Sequence, residues 1–183
     1  MRLDTKSLFF RIAGLVFLSF ALGTIIGGQE IIPKLYYRFN PPVYNTPLGT
    51  TIINSTNLLL LINQERHDKG LKPFRESKIL TYIAYLRAKN IFDTQEFTHE
   101  ATRSGLTNGK IAVRLGYFYK DLRENLAIGY KTERQTVEAW KKSEKHAKNI
   151  FTNEELDAGI YNQEGIFYGD KRIITVLILG KDY

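Results

Sequence analysis

The stretch AGIYNQEGIFYGDKRIITVLILG, residues 158–180, decides how the chain is read. Ile173 to Leu179 is almost unbroken apolar sequence. A run of that length, bounded by charge on one side and glycine on the other, predicts a strand covered on both faces. The turn-forming residues around Asn162–Gly165 and Gly169–Lys171 predict three strands in succession across this stretch. Another short strand is expected at ENLAIGY, residues 124–130.

Upstream of this β-rich end the periodicity changes. NSTNLLLLINQERHDKG, residues 54–70, opens on cap-type residues and closes on glycine. Leu58, Leu61, Ile62 and Glu65 fall at helical spacing. Ser77 caps a second predicted helix running to about Thr94, in which Leu80, Ile83, Ala84 and Ile91 share a face. Thr132 and Gln135 form a capping box for a helix carrying Val137 and Trp140. Ser143 stands where a cap for the following short helix would. Between Thr94 and Arg123 lies a long irregular stretch with a turn or two of helix around Lys110–Leu115. It is too aromatic for disorder, holding Phe97, Tyr117, Phe118 and Tyr119. Helices first and strands mainly later indicate an α+β fold with helices layered over a mostly antiparallel sheet.

The chain has 183 residues, of which 43% are hydrophobic and 25% charged, a composition that supports a folded domain. Net charge is +7, but the basic residues are interleaved with acidic ones and form no stripe. That pattern argues against a nucleic-acid partner and fits solubility or attraction to anionic surfaces. There is no cysteine, which excludes disulfides and thiolate metal sites. Residues 7–28 read SLFFRIAGLVFLSFALGTIIGG behind Arg2 and Lys6, with Arg11 inside the run. This is the pattern of a signal peptide or an uncleaved transmembrane anchor, and it predicts one N-terminal hydrophobic helix in the membrane. Basic residues ahead of it place the rest of the chain outside the cytoplasm, anchored or secreted. Residues 29–53 hold four of the five prolines and read as a semi-rigid linker. The folded unit is then 54–183.

Chemistry-bearing residues are few. The chain has three histidines. His67, at the polar end of the first helix, reads as solvated. His99, Glu124 and His146 combine imidazole and carboxylate, a set suited to acid–base work or to a divalent metal. No local motif such as HExxH links them. Taken singly, Glu124 equally well caps a turn or pairs with Arg123 or Arg114, and Ser143 is a helix cap before it is a nucleophile.

The order of segments adds to this. LLLLINQERHDKGLKPF (58–74), Leu80, Ala84 and Arg87-Ala88, FTHE (97–100), ENLAIG (124–129), VEAWKKSEKHAKNI (137–150) and Gly159 together resemble the CAP superfamily, in its short cysteine-free bacterial form. That superfamily comprises cysteine-rich secretory proteins, antigen 5 and pathogenesis-related proteins. The resemblance spans about residues 54–180. It implies a three-layer α-β-α sandwich with a cleft that often carries two histidines and two acidic residues. By it, His99 and His146 face each other across the cleft beside Glu124, and Trp140 holds the His146 helix down. Arg123 departs from the usual glycine before the glutamate. Glu144, Lys145 and Ala147 stand in place of proline, glycine and arginine around the histidine. Ser143 occupies the position of a second glutamate. Zinc on His99 and His146 is the cofactor the resemblance admits. Three functional classes remain open. One is a binding module that holds a lipid, an envelope glycan or a protein in the cleft or on its basic surface. The second is a metal-dependent hydrolase using His99, His146 and Glu124. The third is structural, with a vestigial cleft and loops that only hold partners.

Overall fold

The computed structural model describes residues 53–183. The expected N-terminal helix at 7–28 and most of the linker lie outside them. Five helices and four strands follow in chain order: α1 Ser55–His67, β1 Arg75–Glu76, α2 Lys78–Thr94, α3 Asn108–Arg114, β2 Tyr119–Ile128, α4 Glu133–Lys142, α5 Glu144–Ile150, β3 Asp157–Phe167 and β4 Asp170–Asp182. Among these elements no helix is long and apolar enough to cross a membrane.

The sheet runs β1-β3-β4-β2. Both long pairings, β3 with β4 and β4 with β2, are antiparallel, while the two-residue β1 joins β3 in parallel. The sheet is therefore mixed. Strand β4 is internal, as its apolar run demands. Ile173, Leu177 and Leu179 enter one core with Leu58, Ile62, Val137, Trp140 and Ile150. Ile174, Val176 and Ile178 enter another with Leu80, Ile83, Ala84, Ala88 and Ile91. The period of two sends neighbouring side chains to opposite faces, so one strand serves both cores. Helices α1, α4 and α5 cover one face, and α2 and α3 the other. Ile53 is buried in the first core, so the packed domain takes in the residue at which the composition still reads as linker.

The β-rich end holds two long strands where three were expected. Strand β3 continues through Asn162–Gly165, and the chain turns once, at Tyr168 and Gly169. Both of those residues have positive φ, 49° and 85°. That is the two-residue hairpin turn whose twist matches the strands it joins. Gly165 has another reason to be glycine: a Cβ there would lie 2.8 Å from the Phe92 ring of α2. Gly159 is more constrained still. A Cβ would come within 2.0 Å of the Thr81 backbone nitrogen, because the first turn of α2 rests directly on β3. The irregular stretch is also shorter than expected. Thr107 caps α3 through its hydroxyl, and β2 begins at Tyr119, well before Glu124.

Candidate functional site

Strand β2 is an edge strand, and its alternation sets the site. Leu126 points into the α2-side core, and Ala127 into the opposite one. Glu124 shares the Leu126 side and reaches toward α2. There it meets Arg87, which is fully buried. Arg87 Nε donates to Glu124 Oε2 at 2.9 Å, and the same guanidinium donates to the Thr98 carbonyl and, at 3.5 Å, to Asn90 Oδ1. The arginine thus ties helix, strand and the loop after α2 together.

That loop is wound around one carboxylate. Glu96 accepts the backbone N–H groups of Thr102 at 2.9 Å and Arg103 at 2.8 Å, together with the Thr98 and Thr102 hydroxyls. These bonds, the Thr102 hydroxyl foremost, hold the Glu96 carboxyl below the usual carboxylate range. Ala101 is buried with φ at 48°, a left-handed conformation that an L-residue adopts only when its surroundings impose it. The winding presents His99, whose Nδ1–H donates to Glu124 Oε1 at 2.8 Å. Facing a carboxylate already held by a guanidinium, Nδ1 is the donor and Nε2 the nitrogen left for the cleft.

His146 comes from the other side of the strand edge, on α5. Its ring lies 5.9 Å from the His99 ring, inclined at 67°. Asn125 Nδ2 donates to the His146 carbonyl at 3.1 Å. Asn149 Nδ2 donates to Asn125 Oδ1 at 2.7 Å. The two amides clamp α5 to β2. Trp140 holds the helix before it: the indole is buried and its Nε1–H donates to the Leu126 carbonyl at 3.1 Å. Burying a ring of that size is worth a few kcal/mol, roughly 2–3 by area.

The two imidazoles titrate in opposite directions. The hydrogen bond to Glu124 raises the His99 pKa, against the pull of partial burial. Burial, then the neighbouring His99, lowers that of His146. The pair therefore favours one proton, on His99.

His99, Glu124 and His146 line one open cleft of about 410 Å³, joined there by Asn108, Lys145, Lys148 and Asn149. Ser143, the fourth candidate, is not in its wall. It is the hinge residue between α4 and α5, its hydroxyl makes no cap bond, and its carbonyl accepts the Ala147 N–H at 2.8 Å. His67 is exposed beside Asp68. Reasoning from sequence passed over Arg87 and the two asparagines as site residues. Arg87 carried a signal: it falls on the apolar stripe of α2, three and four places after Ala84 and Ile83, where a charge must have a buried partner.

As a zinc site the set falls short. Both Glu124 oxygens are engaged, and a guanidinium stands beside them. His99 and His146 leave two nitrogen donors, whereas a catalytic zinc takes three protein ligands. Among the described residues no group of three or more histidines, cysteines or acidic residues is placed to hold a metal.

Comparison with known proteins covers most of the described domain. The profile of the CAP, or cysteine-rich secretory protein, family matches residues 59–163. The chain belongs to the CAP family. It does so without a single cysteine. Among curated relatives, the uncharacterized protein YkwD of Bacillus subtilis is 36% identical over 90 residues, covering 49% of this chain and 35% of its own length. The chain thus spans about a third of that relative. An outer surface protein of Borrelia burgdorferi superimposes with a TM-score of 0.63 at 23% identity, over 70% of this chain and 92% of its own. An extracellular SCP-domain protein of Bacillus anthracis superimposes with a TM-score of 0.58 at 21% identity, over 70% of this chain and 40% of its own. At such identities the two structures share the CAP fold with this chain.

Proposed function

We propose that this CAP domain is an extracytoplasmic binding module, tethered or exported through residues 7–28, that takes a polar ligand of the cell envelope into the His99–His146 cleft. The observation that carries this reading is the state of Glu124. Each of its oxygens is tied by a short bond, one to the buried Arg87 guanidinium and one to His99, and its side chain is almost wholly buried, so it is placed to neutralise a charge and orient an imidazole. The cleft wall, built of histidine, asparagine, lysine and that glutamate, engages a ligand by hydrogen bonds and charge. Such a wall favours a glycan, a lipid headgroup or a polar protein segment over an acyl chain. The apolar run behind Arg2 and Lys6 supports a place outside the cytoplasm, as do the words outer surface and extracellular in the names of two structural relatives.

Cosedimentation of the full chain with purified wall sacculi and with lipid vesicles tests the reading. Binding to one of them, lost in His146→Ala with no change in Tm, is the expected result. Wild-type protein that stays in the supernatant in both assays would sink it. The alternative, a metal-dependent hydrolase with Glu124 activating water, requires zinc on His99 and His146. A zinc-dependent rise in Tm that vanishes in His99→Ala and His146→Ala would favour it.

A further inference from the structure

The cleft has an uneven charge. Its one acidic side chain, Glu124, is already neutralised by Arg87. Its two basic side chains, Lys145 and Lys148, sit three residues apart on α5, close to one face of a helix. Among the described residues neither is in an ion pair, whereas Lys72, Lys89, Lys141 and Lys171 each have a carboxylate. Hydrogen-bond donors converge on the same space. Asn108 uses its Oδ1 to accept the Gly109 N–H at 2.8 Å, which leaves its amide N–H groups for the cleft. His99 presents its Nε2, since Nδ1 is spent on Glu124, and Nε2 joins the donors when the ring is protonated.

We infer that the cleft recognises a phosphate ester, held by Lys145 and Lys148 with Asn108 and His99 as hydrogen-bonding partners. This rests on the binding-module reading above and adds to it the chemistry of the ligand. Phosphate is preferred over carboxylate on charge and oxygen count. The cleft offers two lysines together with amide and imidazole groups, and no arginine. A phosphate monoester brings three terminal oxygens and close to two negative charges to share among them, whereas a carboxylate brings two oxygens and one charge. Two sources present that chemistry outside a cell: a phospholipid headgroup, and a phosphate carried by a soluble molecule or a wall polymer.

Titration of the full chain in a neutral maltoside detergent with glycerol 3-phosphate tests the inference, with acetate at equal concentration as the comparison anion. Cosedimentation with vesicles of phosphatidylglycerol, against vesicles of phosphatidylcholine, tells the sources apart. Two double variants remove equal charge: Lys145→Ala/Lys148→Ala in the cleft, and Lys131→Ala/Lys142→Ala around a separate hollow by α4. The expected result is binding of glycerol 3-phosphate but not acetate, weakened by about tenfold or more in the cleft variant and unchanged in the control. Vesicle binding that the soluble ester displaces, and that fails in the cleft variant, assigns the headgroup. Ester binding without vesicle binding assigns the soluble or polymer source. Equal loss in both double variants, or acetate binding as tight as the ester, overturns the inference. If wall sacculi bind in a His146-dependent way while the ester does not, the phosphate assignment fails and the binding module stands.

Discussion

Arg66 and Arg87 are both buried, at 1% and 0% exposure, in helices on opposite faces of the sheet. They are satisfied by different means. Arg66 has no carboxylate in its bonds. Its Nε donates to the Lys72 carbonyl at 2.8 Å, and its Nη1 to the carbonyls of Ile150 at 2.8 Å and Thr152 at 3.0 Å, while the guanidinium lies 3.7 Å above the Phe74 ring. The carbonyl at the end of α5 carries the negative end of the helix dipole, which suits a cation. Arg87 faces Glu124, an ion nearly as buried as itself. The first arginine braces α5 and through it His146. The second braces Glu124 and through it His99. Two unrelated solutions to a buried charge thus hold the two walls of one cleft, and the difference lies in what each leaves behind when removed.

The largest expected effect follows from that difference. Arg87→Met strands the Glu124 carboxylate and costs about 3–5 kcal/mol in urea unfolding at neutral pH. Arg87→Met/Glu124→Leu recovers more than half of the loss, since no ion then remains; a double variant no more stable than the single one breaks the comparison. Arg66→Met strands only carbonyls and costs less, about 2–3 kcal/mol. The two methionine variants share no partner, so their effects add to within about 0.5 kcal/mol. Marked non-additivity would mean that the two braces are one network.

A subtler effect appears in pH. His99 has a raised folded pKa, so its contribution to stability is complete below the ordinary imidazole pKa of about 6.5 and is lost as pH rises through the folded value. His146 has a lowered folded pKa, so its contribution is complete above about pH 6.5 and is lost as pH falls through the folded value. The two terms together favour a stability maximum near the ordinary value. Glu124→Gln removes the cause of the upward shift, and NMR titration of the His99 ring should then show its pKa fall toward the ordinary value. An unchanged pKa in that variant would separate His99 from the Arg87 brace. The smallest effect tests the helix that carries Trp140 against the one that carries His146. Thr132→Ala removes a side-chain cap bond of 3.2 Å to the Gln135 N–H and costs about 1 kcal/mol. Ser143→Ala removes no such bond and should stay within about 0.5 kcal/mol by thermal unfolding.

Legibility of the chain follows the range of the forces involved. The double-faced strand was readable at Ile173–Leu179 because alternation in a strand is a local rule. The α2 core face was readable at Leu80, Ile83, Ala84 and Ile91, and these are buried together. The extra strand was a misreading of Gly165, whose meaning is the nearby Phe92 ring and not a turn. On α1 the buried row is Leu58, Leu59, Ile62 and Arg66, a set that slides away from the expected one because Arg66 is drawn in by distant carbonyls.

Sequence alone therefore settled the main helices, that one strand must be buried on both sides, and which segments follow the CAP order. Those outcomes depend on neighbours within a few residues and on the free energy of hiding apolar surface. Only the folded chain decided that Arg87 neutralises Glu124, that the Glu96 loop aims His99 at it, and that Lys145 and Lys148 share the cleft while Ser143 does not. Charge pairing and hydrogen bonding act over a few ångströms in space with no regard for distance along the chain, so their partners emerge only once register, loop winding and helix placement are set.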